Sequence, residues 1–139
     1  MDVPREIYYK VSRPLSRQPF SVVIITKNAV SQLGASLESA SFADEIVVVD
    51  SGSNDGTAEL AAARGARVIQ KQDWPGFGPQ KQFAVEAAHH DWVLCLDADE
   101  RVSAALRASI LAALAAPATQ AYVMPVSYTH LTLPTILRV

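Results

Sequence analysis

A chain of 139 residues, 50% hydrophobic and 19% charged, is long enough for one domain with a real core and too apolar to be disordered. Its net charge of −2 at pH 7 offers no basic surface for a nucleic-acid partner. No apolar run approaches the ~20 residues of a spanning helix, no signal-peptide h-region opens the chain, and a single cysteine, Cys95, allows neither an internal disulfide nor a thiolate metal cluster, so the expectation is a cytoplasmic protein.

Residues 1–19 carry Arg5, Lys10, Arg13 and Arg17 against Asp2 and Glu6, with three prolines, and read as an irregular arm. "FSVVIIT" (20–26) is a β-branched run between Pro19 and Lys27-Asn28, the pattern of a buried strand. From Asn28 to Ala40, Val30, Leu33 and Leu37 recur at helical spacing, with Asn28 or Ser31 as the expected cap. "EIVVVD" (45–50) is a second buried strand. A helix over 55–65 follows, with Asp55 as cap, Glu59 in its first turns and Gly65 as its end. "ARVIQ" (66–70) is a third strand, and "KQDWPGFG" (71–78) a loop whose Trp74 and Phe77 either stack on a ligand or pin the loop. A helix over 79–90 takes Pro79 at its first position and ends in His89-His90, which suit a helix C-terminus on dipole grounds alone. "DWVLCLD" (91–97) is the fourth strand, with Cys95 a core residue. Ser103 starts an Ala-rich helix to Ala116 with Leu106, Ile110, Leu111 and Leu114 on its buried face, and "AYVMPV" (121–126) is a further strand.

Strands that are continuously apolar and alternate with helices predict an α/β fold, a mostly parallel sheet with helices on both faces. Ligands of such sheets bind beyond the carboxyl ends of the strands. Those ends read Thr26-Lys27-Asn28, Asp50-Ser51-Gly52-Ser53 and Asp97-Ala98-Asp99, so polar chemistry collects on one edge. Asp97 and Asp99, two apart in an extended segment, direct both carboxylates to one side, with Glu100 pointing away towards Arg101. Two carboxylates in a cleft either share a proton or hold a cation, and hard oxygen ligands suit Mg²⁺ or Mn²⁺ with a substrate's phosphates completing the shell. Gly52 permits a sharp turn, and Ser53, Asn54 and Asp55 supply oxygens for turn and cap, which is also all that Asp55 and Thr57 need do. Asp50 can accept hydrogen bonds from a base or ribose. Lys81, disfavoured by the dipole near a helix start, fits phosphate neutralisation and fits a solvent-facing lysine almost as well.

The ordered set "SVVIITKNA", "EIVVVDSGSNDGT", "GFGPQKQFAVEAA" and "WVLCLDADER" resembles the large family of inverting GT-A glycosyltransferases. Within it, "WPGFGPQKQFA" followed by "LDADER" resembles the subgroup that adds glucose or a similar sugar to the lipopolysaccharide core. The resemblance covers residues 20–126. It implies a GT-A (Rossmann-like) nucleotide-sugar-binding domain and the transfer of a sugar, with inversion, from a nucleotide-diphosphate donor (a UDP-sugar foremost) to a glycan or glycolipid of the cell envelope. It further implies that Thr26 and Asn28 line the nucleotide pocket with Asp50 near uracil or ribose. Asp97-Ala98-Asp99 becomes the metal motif, Asp99 the nearer ligand and Asp97 reaching ribose or a metal-bound water, with Lys81 beside the diphosphate. Ser51, beside Gly52, departs from the commoner Asp-Asp-Gly-Ser form, which leaves the base contacts there open.

No Asp or Glu follows Glu100, so the general base that such a displacement uses is missing, and His130 is the one titratable substitute. The acid-free "VSYTHLTLPTILRV" breaks the composition of what precedes it. Residues 127–139 therefore read as a tail foreign to the fold, and the chain as the truncated donor half of an enzyme. The rival to that tail is an edge strand interrupted by Pro134. The arm's four cations make a weak anchor for peripheral contact at the inner face of the cytoplasmic membrane. The rival functions are a haloacid-dehalogenase-like phosphatase, which places DxD after its first strand and not its fourth, and a non-catalytic half-domain that folds with a partner. A dinucleotide enzyme is disfavoured because no G-x-G-x-x-G follows the first strand.

Overall fold

The computed structural model describes residues 17–119, 121–123 and 135–138. The elements are β1 (Phe20–Thr26), α1 (Val30–Ser39), β2 (Glu45–Asp50), α2 (Thr57–Ala63), β3 (Arg67–Gln70), α3 (Phe77–Ala87), β4 (Trp92–Cys95), α4 (Ala104–Ala115), β5 (Ala121–Val123) and β6 (Thr135–Arg138). They build one sheet of order β3-β2-β1-β4-β6-β5. The β3–β2–β1–β4 part is parallel, and β6 runs antiparallel to both β4 and β5. The mostly parallel α/β sheet expected from the continuous apolar strands is the observed one.

Side-chain alternation along the strands divides the core in two. Phe20, Val22, Ile24, Val48, Trp92 and Leu94 point to one face, where Leu33 and Leu37 of α1, Ala61 of α2 and Ile110 and Leu114 of α4 cover them. Val23, Val47, Val49 and Val93 point to the other, against Ala84 and Val85 of α3. The interiors of β1, β2 and β4 are buried on both sides, which is why none of the three shows a polar alternation.

Four boundaries differ from expectation, each for a local reason. The first helix starts at Val30 after Ala29, and neither Asn28 nor Ser31 caps it; its free N–H groups are met by the first residue of α2 and by the loop before it. Helix α2 begins at Thr57 behind Gly56, so Asp55 precedes the helix by two residues and still accepts the Thr57 N–H. Helix α3 begins at Phe77, placing Pro79 third; the first-turn N–H groups have no intrahelical partner, so proline costs nothing there. That helix ends at Ala87, beyond which the chain is extended, so His89 and His90 lie past its end and not on its dipole. His89 instead gives its N–H and Nδ1 to Glu45, at 2.9 and 2.7 Å.

At the chain ends, Arg17 pairs with Asp44 at 2.7 Å and the Gln18 N–H donates to the Leu114 carbonyl at 2.8 Å, so this end of the expected arm is docked. Residues 1–16, with Arg5, Lys10 and Arg13, lie outside the described residues, as do 124–134 with His130. Residues 135–138, within the segment read as a tail foreign to the fold, form β6 between β4 and β5. Without it β4 would present a row of unpaired N–H and C=O groups, a template that a β-branched segment readily completes.

Candidate functional site

The chain leaves β1 to build β2 and β3 on one side, then returns to place β4 on the other. The crevice beyond β1 and β4 is thus the switch point where the connections diverge, the place such sheets bind ligands. A cavity of about 960 Å³ opens there. Register explains who reaches it. Thr26 lies level with Asp50 and Val23 with Cys95, so β4 ends three residues short of β1 and Asp97 emerges low, beside the end of β1.

Thr26, Ser51, Lys81, Asp97, Ala98 and Asp99, all expected at the site, line the cavity together. The acid pair does not sit in an extended segment. Strand β4 stops at Cys95, and the Glu100 N–H donates to the Asp97 carbonyl at 3.0 Å, closing a turn over Ala98-Asp99. Glu100 does not reach outward to Arg101 either. It folds beneath the turn, 3% exposed, and its Oε1 accepts the Asp97 N–H at 2.8 Å. Burial pushes its carboxyl above the usual glutamate range, with Asp97 and Asp99 adding to the effect. The buried Ser36 hydroxyl donates to the Asp97 carbonyl at 3.4 Å, and the Val102 N–H to the Ser39 hydroxyl at 2.9 Å, so α1 braces the turn from the side. The Lys81 ammonium stands 3.2 Å from Asp97 Oδ1.

Asp50, Asn28 and Gly52 hold a different place: they form the frame behind the wall. Asp50 is fully buried; its Oδ1 accepts the Thr26 and Ser53 hydroxyls at 2.7 and 2.5 Å, and its Oδ2 the Ser53 N–H at 2.9 Å. Asn28 adopts a left-handed φ of 49° and accepts the Asn54 N–H at 2.9 Å, while its own N–H donates to Ser53 at 2.7 Å. Gly52 has φ +78°, a conformation in which any L side chain is strained, and a Cβ there would also push the exposed Gln72 amide aside. The β1 and β2 loops are thereby laced into one unit.

Reasoning from sequence missed Lys27, which donates to the Ser51 and Gly52 carbonyls at 3.1 and 2.9 Å and lines the cavity. Its signal was its place, one residue past a strand end on the ligand edge. It also missed Gln80, fully buried under Ser51, for which an amide between a proline and a lysine gives no signal. Trp74 and Phe77 meet edge-to-face at 5.0 Å on the cavity rim, Phe77 72% exposed. Cys95 is a core residue as expected, and burial pushes its thiol up, which keeps it protonated and unreactive.

Among the described residues no three His, Cys, Asp or Glu side chains cluster as a complete metal cage. Asp97 and Asp99 nevertheless present hard oxygens to one open cavity, and Asp97 already faces the cation of Lys81. That donor set fits a divalent ion whose remaining ligands come from a phosphate and water.

The family profile of glycosyl transferase family 2 matches residues 21–133. A lipopolysaccharide core biosynthesis glycosyltransferase, LpsC of Rhizobium meliloti (strain 1021), is 41% identical over 106 residues, covering 73% of this chain and 39% of its own length. The chain thus spans about two fifths of that relative. Among solved structures, mannosyl-3-phosphoglycerate synthase from Rubrobacter xylanophilus superposes with a TM-score of 0.62 at 26% identity, covering 75% of this chain and 38% of that one. Glucosyl-3-phosphoglycerate synthase from Mycobacterium tuberculosis, solved with Mn²⁺, UDP and glucosyl-3-phosphoglycerate, superposes with a TM-score of 0.52 at 30% identity, over 58% of this chain and 33% of that one. The profile spans most of the sequence, so the chain belongs to glycosyl transferase family 2.

Proposed function

We propose that this domain binds the donor of a glycosyltransferase reaction, a nucleoside diphosphate sugar with UDP as the nucleotide, whose sugar passes with inversion to a cell-envelope glycan such as the lipopolysaccharide core. One observation carries the reading: two carboxylates and two lysines from three different segments converge on one cavity at the sheet's switch point. The relative's role in lipopolysaccharide core synthesis supports the acceptor class, and the Mn²⁺ and UDP of the mycobacterial structure support the donor class and the metal.

Asp97 and Asp99 would hold the divalent ion, Mg²⁺ or Mn²⁺, which when bound supplies stabilisation of negative charge on the departing diphosphate. The chain's own residues do the rest of the binding. Lys81 places an ammonium beside the acid pair, where a diphosphate carries most of its charge. Thr26, at the end of β1, lies beside the acid pair, and Ser51, just past β2, brings a hydroxyl to the other side of the cavity. Trp74 and Phe77 shield one side from water. Glu100 touches no ligand; it sets the turn that aims both aspartates.

Titration calorimetry of the purified chain with UDP, with and without MnCl2, tests this. Metal-dependent binding that Asp99→Ala reduces at least about tenfold is the expected result. Binding indifferent to metal, or to the loss of Asp99, would overturn it.

A further inference from the structure

The β2 edge of the cavity holds a polar pair that no ligand role has so far absorbed. Gln80, on α3, is 0% exposed, and its Nε2 donates to the Ser51 hydroxyl oxygen at 3.0 Å. Its Oε1 is buried and has no partner. So placed, the amide gives a hydrogen atom to Ser51.

A hydroxyl has one hydrogen and two lone pairs. With one lone pair of Ser51 occupied from behind by Gln80, its hydrogen remains to be donated, and the open direction is the cavity that Ser51 lines. Ser51 follows the last residue of β2, while the acid pair follows β4, and β1 lies between them. Two strand spacings put Ser51 roughly 10 Å across the sheet from the metal and phosphate end. At that distance the hydroxyl faces the nucleoside and not the diphosphate.

We infer that Gln80 is a positioning residue that presets Ser51 as a hydrogen-bond donor, so that the pocket selects a nucleobase presenting a carbonyl oxygen over one presenting an amino group. The inference rests on the donor-binding reading above and adds to it the two residues that choose the base. Uracil meets this requirement with its C4 carbonyl. Cytosine, which shares the C2 carbonyl, sets an amino group at C4, where two donors would face each other.

The measurement is calorimetry of the chain with UDP and with CDP, each in MnCl2. The wild type is expected to bind UDP about 5–10-fold more tightly than CDP, the worth of one neutral hydrogen bond. Ser51→Ala and Gln80→Met, the latter near-isosteric and lacking the donor, should each bring the UDP:CDP ratio close to one. The double variant should change it no further, since both act through one hydroxyl. A residue that merely fills space would weaken both nucleotides alike and leave the ratio intact. A wild-type ratio of one, or an unchanged ratio in Ser51→Ala or in Gln80→Met, overturns the inference while UDP binding stands. Absence of any UDP binding by the wild type overturns the donor reading and this inference with it. Ser51→Ala removes one oxygen atom at a cavity wall, so it decides the matter even if Gln80→Met fails to fold.

Discussion

Lys81 and Asp97 show how a single contact serves two states. At 3.2 Å, with both side chains a little under a third exposed, the pair is a modest contributor to stability, because water screens it and two long side chains must be held still. In the donor-binding reading proposed above, its value is placement: a diphosphate would draw the ammonium and a cation the carboxylate, with neither partner left bare in the meantime. Lys81→Met is therefore expected to leave the unfolding midpoint almost unchanged while lowering UDP affinity about tenfold, with a shallower dependence on salt than the wild type. Calorimetry at 50 and 300 mM NaCl reads both quantities. Of the residues at this site, the sequence makes legible those whose role is set by position along a strand: Thr26, Asp97, Ala98 and Asp99 fall at strand ends, and Lys81 on the first turns of a helix entering from the same edge. Glu100 escapes that logic. A third acid next to a pair is expected to flee it, yet the N–H of Asp97 offers it a partner that solvent does not, and burial under the turn is the outcome.

At the level of elements, the first two strand–helix loops are interdependent. Helix α1 begins without a side-chain cap of its own, and the donors at its start are taken by the first residue of α2 and by the loop before it: the Ala29 N–H donates to Thr57 Oγ1 at 2.9 Å and the Val30 N–H to Asp55 Oδ2 at 3.2 Å. Hydrogen bonds from the Thr57 N–H and hydroxyl draw the Asp55 carboxyl below the usual aspartate range, which keeps it an acceptor. Since a cap partner some 25 residues away leaves no trace in local spacing, Asn28 looked like the cap on sequence grounds; its left-handed backbone instead turns it over to bind Asn54. The same physics explains what was legible. Strand positions follow from unbroken apolar runs, and those survive any detail of loop chemistry, whereas helix starts depend on who meets four free N–H groups. Thr57→Val keeps the shape of a fully buried side chain and removes the hydroxyl, so the Ala29 N–H loses its acceptor. A loss of about 1–3 kcal/mol is expected in urea unfolding. Because the loop it loosens carries Ser51 and Ser53, UDP affinity should fall too, which separates this variant from one that only thins the core.

For the whole molecule, the two ends of the sheet are specialised in opposite directions. The carboxyl ends collect the charges and hydroxyls that line the cavity, while the amino ends are cross-tied. Glu45 at the start of β2 accepts the Ser21 hydroxyl of β1 at 2.8 Å and the His89 N–H at 2.9 Å, and faces Arg67 of β3 at 3.3 Å and His89 Nδ1 at 2.7 Å. One carboxylate thus joins three adjacent strands and the turn into β4. Partial burial raises its pKa, but the hydrogen bonds from His89 and Ser21 and the nearby positive charges outweigh that, and the net displacement is downward. A carboxyl held lower in the folded than in the unfolded chain binds its proton more readily when unfolded. It therefore contributes stability above its unfolded value near 4.3, and that contribution fades as pH falls through the lower folded value. Asp44, whose carboxyl is likewise drawn down against partial burial, by its hydrogen bond to Arg17 and the Phe20 N–H, adds to the same acid-sensitive stability. Glu45→Gln should lower stability by about 1–3 kcal/mol at pH 7, the range for hydrogen bonds to a charged group. The gap from the wild type should narrow steadily below pH 4.5 as the wild-type carboxylate takes up its proton. Glu45 lies at the opposite end of β2 from Ser51, so UDP affinity in MnCl2 at pH 7 should not move. If urea titrations across pH 3 to 7 show a constant gap, the cross-tie is not electrostatic; if UDP affinity falls with it, the two ends of the sheet are coupled.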